Sequence, residues 1–175
     1  HNLQTSRRFF PSICATHTYD ERVETIRLCQ RVGMKTCCGG LFGMGETWED
    51  RVDLAIELRN RGVDDVPVNF LIPIPGTPLA GQAALTAVEC LKILAVYRFL
   101  LPDRTIRVCG GREVHLRDLQ SWMFHAGANG LLIGNYLTTR GRSAQQDVQM
   151  LHDLRIPLGG AGPAPDDAKA LHKQV

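Results

Sequence analysis

The densest chemical signal lies in residues 35–47, KTCCGGLFGMGET. A β-rich run there ends in glycines and passes straight into a helix start, which lets a ligand approach backbone amides closely. The glycine order is not the G-x-G-x-x-G of a dinucleotide site, and no Lys precedes the Thr as a phosphate loop requires. Cys37 lies within the strand, so its thiol points either into the core, as an inert small apolar residue, or into a barrel lumen. Arg107 is the second oddity, flanked by Ile106 and Val108 in a strand expected to be buried on both faces. A guanidinium there is costly unless it is paired or ligated. Either a carboxylate such as Glu113 or Asp103 saturates it, or it serves a site. Asn69 poses the same question within 66–72, VPVNFLI, where its amide needs a backbone neighbour or a polar ligand.

Other candidates carry less. The six histidines are scattered, with no pair at metal-ligand spacing on one helix, and no CxxC pair supports a zinc ribbon or a thioredoxin-type motif. Trp48 and Trp122 read as helix packing, and Asp64–Asp65 as a solvated turn.

Three capping-box signatures mark helix starts: Thr18 with Glu21, Thr47 with Asp50, and Thr86 with Glu89. Apolar residues recur at helical spacing behind each, and a fourth amphipathic stretch carries Leu116, Leu119, Met123 and Ala126. Between them lie β-rich runs at Lys35–Phe42, Val66–Ile72, Thr105–Cys109 and Leu131–Ile133. This strict alternation predicts an α/β fold with a parallel sheet of βα units. Four such units make either a small doubly wound sheet or half of an eight-stranded barrel. The expected division is a domain over 1–157 and a Gly/Pro-rich, disordered tail over 158–175.

Composition narrows the function. The 175 residues carry a net charge of +2 and no Lys/Arg-rich run, which speaks against nucleic acid as a partner. No apolar stretch approaches the roughly 20 residues of a membrane span, and no signal-peptide pattern is present. The six cysteines are too sparse, and the helices too long, for a disulfide scaffold, so a reduced chain is expected. The chain opens at His1 within loop-like sequence and reads as a piece of a longer protein.

The ordered motifs HNLQTS (1–6), THTYDER (16–22), CCGG (37–40), GMGET (43–47), VPVN (66–69), PGTPL (75–79), GGRE (110–113), AGAN (126–129) and GNYLTT (134–139) resemble the biotin synthases, radical S-adenosylmethionine enzymes with a (β/α)8 TIM-type barrel. The resemblance covers about residues 1–157 and implies the C-terminal half of that barrel, beginning at the end of its fourth strand. It implies an activity that inserts sulfur into dethiobiotin to form biotin by a 5′-deoxyadenosyl radical route, with sulfur taken from a 2Fe-2S cluster. Cys37 and Arg107 match a thiolate and an arginine ligand of that cluster. Asn2 matches a residue near both dethiobiotin and the S-adenosylmethionine ribose, and Asn69 one that contacts the substrate ureido ring. Thr138 and Thr139 match the turn that holds the substrate carboxylate. The run 39–46, with Gly39, Leu41, Gly43 and Glu46, matches the strand that supports the adenine.

Two departures stand out. Gln4 replaces the usual acid on the ribose hydroxyls and loses its charge-assisted hydrogen bond. The CxxxCxxC loop of the 4Fe-4S cluster is absent from these residues, as are the other 2Fe-2S cysteines. The 175 residues alone are therefore expected to be inactive, and an exposed half-barrel is expected to associate through its open edges. The resemblance further implies an electron donor such as flavodoxin or ferredoxin, a homodimer at full length, and a cytoplasmic or mitochondrial-matrix location. Two other readings remain: a half-barrel acting as a binding or assembly module, and a related radical enzyme with another substrate. By the two-residue strand period, Cys37 and Arg107 would face the lumen, and barrel active sites lie at the strand C-terminal ends.

Overall fold

The computed structural model describes residues 1–136 and 139–157; Thr138 and the expected tail over 158–175 lie outside these. Local chemistry starts the helices where the sequence places them. Thr18, Thr47 and Thr86 each accept the backbone N–H three residues on, while Glu21, Asp50 and Glu89 reach back to the cap. These boxes open α1 (Tyr19–Arg31), α2 (Trp48–Asn60) and α3 (Ala87–Leu100). The strands are β1 (Gly40–Phe42), β2 (Asp65–Phe70), β3 (Thr105–Val108) and β4 (Gly130–Leu131).

All three pairings are parallel, and the strands lie in the order β1-β2-β3-β4. A doubly wound sheet reverses its strand order part-way; this one does not, and with one hand of crossover its helices cover one face. The fold is thus half of a βα barrel. Val66, Val68, Phe70, Ile106 and Val108 are buried against Leu54, Leu58, Ile93, Leu94 and Tyr97 of the helices. Asp65, Asn69 and Arg107 alternate onto the opposite, inner face, where they are only half-buried.

Several expected boundaries move. The run Lys35–Phe42 keeps one register along β2, with Cys37 opposite Asp65 and Gly40 opposite Val68, but only Gly40–Phe42 is continuous strand. Pro67, between those two positions, has no N–H to donate to the neighbouring strand. The fourth amphipathic stretch is broken into α4 (Arg112–Leu116), a 3-10 turn (Arg117–Leu119) and α5 (Trp122–His125), because Arg117 takes a left-handed φ of 49°. Trp48 and Trp122 are not core residues: both are exposed, and Trp48 lies under the Arg51 guanidinium at 4.7 Å. A helix without a sequence-based expectation, α6 (Ala144–Asp153), opens on a further box of Ser143 with Gln146. All six cysteines are free.

Asp50 does more than cap α2. One carboxylate oxygen takes the Thr47 amide at 2.9 Å, while the other takes Ser6 Oγ at 2.6 Å and Arg8 at 2.8 Å. This ties residues 1–8, which carry Asn2 and Gln4, to the helix layer. Burial opposes the charge, but the bonds from Ser6, Thr47 and Arg8 outweigh it and hold Asp50 at about 2. A lowered folded-state pKa gives stability that is present above about pH 4 and is lost as pH falls through about 2. Asp50→Asn is therefore expected to lose roughly 2 kcal/mol at pH 7 relative to the native chain. That gap should close towards pH 2. Urea unfolding of both forms across this range checks it, and a gap unchanged at pH 2 refutes it.

Candidate active site

Two features share the inner face. The upper one is a cavity of about 740 Å3 whose lining includes Asn2, Gln4, Leu41, Asn69, Tyr136 and Thr139. It sits at the C-terminal ends of the strands, the end at which βα barrels do chemistry. Asn2 reaches the rim because its Oδ1 accepts the Gly39 amide at 3.0 Å and its carbonyl accepts Arg22 Nη1 at 2.5 Å. Gln4 takes a left-handed φ of 73° and bridges to Gly40, accepting the Leu41 amide at 2.9 Å. The Asn69 amide finds backbone partners on both sides, donating to Gly40 O at 3.3 Å and accepting Gly110 N at 3.1 Å. It laces three strand ends together at the cavity floor.

The lower feature is a cluster of Cys37, Asp65 and Arg107. Cys37 is exposed on the inner face, whereas Cys38 points the other way and is fully buried. The alternation expected of a strand therefore separates two adjacent thiols. Partial loss of hydration against the sheet pushes the Cys37 thiol up, and the nearby Asp65 carboxylate adds to this. Burial, against a lowering backbone hydrogen bond at Leu3, pushes Cys38 up to about 11. Arg107 pairs with Asp65 at 2.5 Å and stays 41% exposed, so neither Glu113 nor Asp103 saturates it. Glu113 instead accepts the Tyr136 hydroxyl at 2.9 Å, and Asp103 lies beside Arg104. The strand is open on its inner face, which is why an arginine is tolerated there.

The expected solvated turn holds for Asp64, an exposed bend residue, but not for Asp65. Asp64 accepts the Thr36 amide at 2.7 Å, and Asp65 is the first residue of β2, with a buried Oδ1 that takes no hydrogen bond. Sequence reasoning missed Asp65 because its partner is 42 positions away in Arg107. An acid at the mouth of a strand that alternates Val66, Val68 and Phe70 onto the other face was the available signal.

Other expected site residues serve the scaffold. Glu46 is buried, and its oxygens accept the Gly43 and Met44 amides and Arg51 Nε at 2.8 Å. These bonds shape the turn in which Gly43 has a φ of +97°, and Glu46 stands away from the cavity lining. A Cβ on Gly39 would stand 1.9 Å from the Pro67 carbonyl, so strand packing alone requires glycine there. Leu41 and Thr139 do line the cavity.

The donor set fits part of an iron–sulfur site: a soft thiol faces the open side, a guanidinium lies nearby, and an orphaned carboxylate oxygen marks polarity without a local partner. Among the described residues no group of three or more His, Cys, Asp or Glu could hold a metal ion, so further ligands would have to come from elsewhere. No described helix is long and apolar enough to cross a membrane.

Residues 67–156, half of the chain, match the family model of the biotin and thiamin synthesis associated domain. The chain belongs to that family. The family region holds Asn69, Arg107, Tyr136 and Thr139, while Cys37 and Asp65 precede it. Over 158 residues the chain is 64% identical to a biotin synthase from Geobacter sulfurreducens, covering 90% of this chain and 48% of that one. A biotin synthase from Geotalea uraniireducens is 57% identical over 156 residues, again covering 89% and 47%. The chain thus spans about half the length of the curated relatives it matches. Methylornithine synthase shares the fold, with a TM-score of 0.72 at 24% identity, over 97% of this chain and 53% of its own.

Proposed function

We propose that this chain carries the C-terminal part of a biotin synthase active site, with dethiobiotin and S-adenosylmethionine bound in the inner-face cavity. The observation that carries this is the stacking of the Cys37–Asp65–Arg107 cluster and a mostly apolar cavity on one face of a half-barrel. When bound, S-adenosylmethionine and a 4Fe-4S cluster would supply the 5′-deoxyadenosyl radical, and a 2Fe-2S cluster would supply the sulfur. Cys37 supplies a thiolate donor towards the 2Fe-2S cluster and Arg107 a nitrogen donor.

The remaining residues orient and enclose. Asn2 and Gln4 present amides at the rim suited to ribose hydroxyls. Leu41, Leu71 and Ile72 line the wall with apolar side chains, which excludes water from a reacting aliphatic carbon. Asn69 sets the spacing of the three strand ends, and its amide faces the cavity suited to a ureido group. Thr139 lines the cavity and is proposed, with Thr138, to hold the substrate carboxylate. A flavodoxin or ferredoxin donor and a homodimer complete the proposal.

The test uses a chain of full family length, reconstituted anaerobically with iron and sulfide. Cys37→Ser is expected to lose the visible absorbance and iron of the 2Fe-2S cluster and to form no biotin from dethiobiotin. Cys38→Ala, which keeps the helix-side core apolar, should retain both. Loss of the cluster in Cys38→Ala but not in Cys37→Ser would sink the assignment.

A further inference from the structure

We propose that Asp65 is a positioning residue that holds the Arg107 guanidinium beside Cys37; this rests on reading Cys37 and Arg107 as donors to an iron–sulfur group. Three independent placements lead to it. Asp65 is the register partner of Cys37, and its backbone oxygen accepts the Cys38 amide at 2.8 Å, so the acid cannot drift from the thiol. Arg107 is the register partner of Pro67, two residues further along the same strand and on the same face. From there its guanidinium turns back towards Asp65 and meets Oδ2 at 2.5 Å.

An arginine 41% exposed on an open face would otherwise spread over many rotamers, since its side chain has large conformational freedom. The short, strand-anchored aspartate removes that freedom. Among the described residues it is the only acid within ion-pair range of Arg107. Its engagement is one-sided, because Oδ2 takes the arginine while Oδ1 is buried and takes no hydrogen bond. Buried carboxylate oxygens are ordinarily satisfied, so an orphaned one marks a place where fold stability alone does not explain the residue. Asp65 therefore acts through Arg107 and not as a further ligand.

The experiment compares Asp65→Asn, Asp65→Ser, Asp65→Glu, Arg107→Lys and the double variant Asp65→Asn/Arg107→Lys in a chain of full family length, reconstituted with iron and sulfide. The readouts are the rate of iron release to a chelator, the visible circular dichroism and the melting temperature. Asp65→Asn and Asp65→Ser are expected to release iron about tenfold faster, the loss of one charge-assisted contact, with a changed visible spectrum and little change in melting. Asp65→Glu restores slow release, and the double variant releases iron no faster than Arg107→Lys alone. Wild-type release rates in both uncharged variants overturn the proposal. So does full additivity in the double variant, because Asp65 would then act without Arg107. If Cys37→Ser loads and holds iron like the native chain, the reading of the site itself fails, and that outcome is distinct from the others.

Discussion

Arg112→Leu should be among the most damaging single substitutions in this protein, at about 3–5 kcal/mol. Arg112 and Asp147 are both fully buried, and they meet at 2.5 Å. The same guanidinium bonds the Tyr136 hydroxyl at 3.1 Å, the Leu132 carbonyl at 3.4 Å and the Gln120 side chain. Removing it leaves a carboxylate in the interior whose nearest other cation, Arg142, is 3.8 Å away. It also frees α6 and the 132–136 segment together, and that segment carries Asn135 and Tyr136 into the cavity wall. The double variant Arg112→Leu/Asp147→Leu should recover much of the loss, because the orphaned charge goes with its partner. Urea unfolding of the single and double variants measures this. A single variant within about 1 kcal/mol of the native chain would show that the pair does not hold α6.

Gly39→Ala is expected to be as severe, for a steric reason. The new Cβ would lie 1.9 Å from the Pro67 carbonyl oxygen, 2.8 Å from its carbon and 2.9 Å from its Cδ. These are backbone and ring atoms of the paired strand, so no side-chain rotation relieves the contact. β1 and β2 must separate between the Cys37–Asp65 and Gly40–Val68 pairs, which also takes the site apart. A loss of about 4 kcal/mol or more follows, at the upper end of what overpacking produces. Gly33→Ala is the control: it has a φ of +78° but nothing within 4 Å, so only the left-handed backbone cost of about 1 kcal/mol applies. Melting followed by circular dichroism separates the two. If Gly39→Ala melts like the native chain yet loses S-adenosylmethionine binding, Gly39 is a ligand-facing residue and not a packing one.

Much of this molecule was legible in its residues. Thr18, Thr47 and Thr86 specify helix starts because a cap is decided within four residues of chain, and each box formed where expected. The alternation of helices and β-rich runs specified a parallel sheet for the same local reason. Period two placed Cys37 and Cys38 on opposite faces, though not which face was covered. The Ser143–Gln146 box that opens α6 is equally local.

What tertiary structure decided was always a through-space matter. Four βα units suit either a doubly wound sheet or a half-barrel, and only the strand order β1-β2-β3-β4 separates the two. Arg107 needed a counter-ion in any reading. It found Asp65 in place of the nearer Asp103 or Glu113 because strand register brings residues 65 and 107 to one face. Gly39 looked like a ligand-facing glycine until Pro67 was set against it. Asp147 has no local reason to be buried and is held there by Arg112, 35 positions away. Caps and periodicity are short-range and so are written in consecutive residues, whereas register, burial and ion pairing are fixed only when distant segments meet.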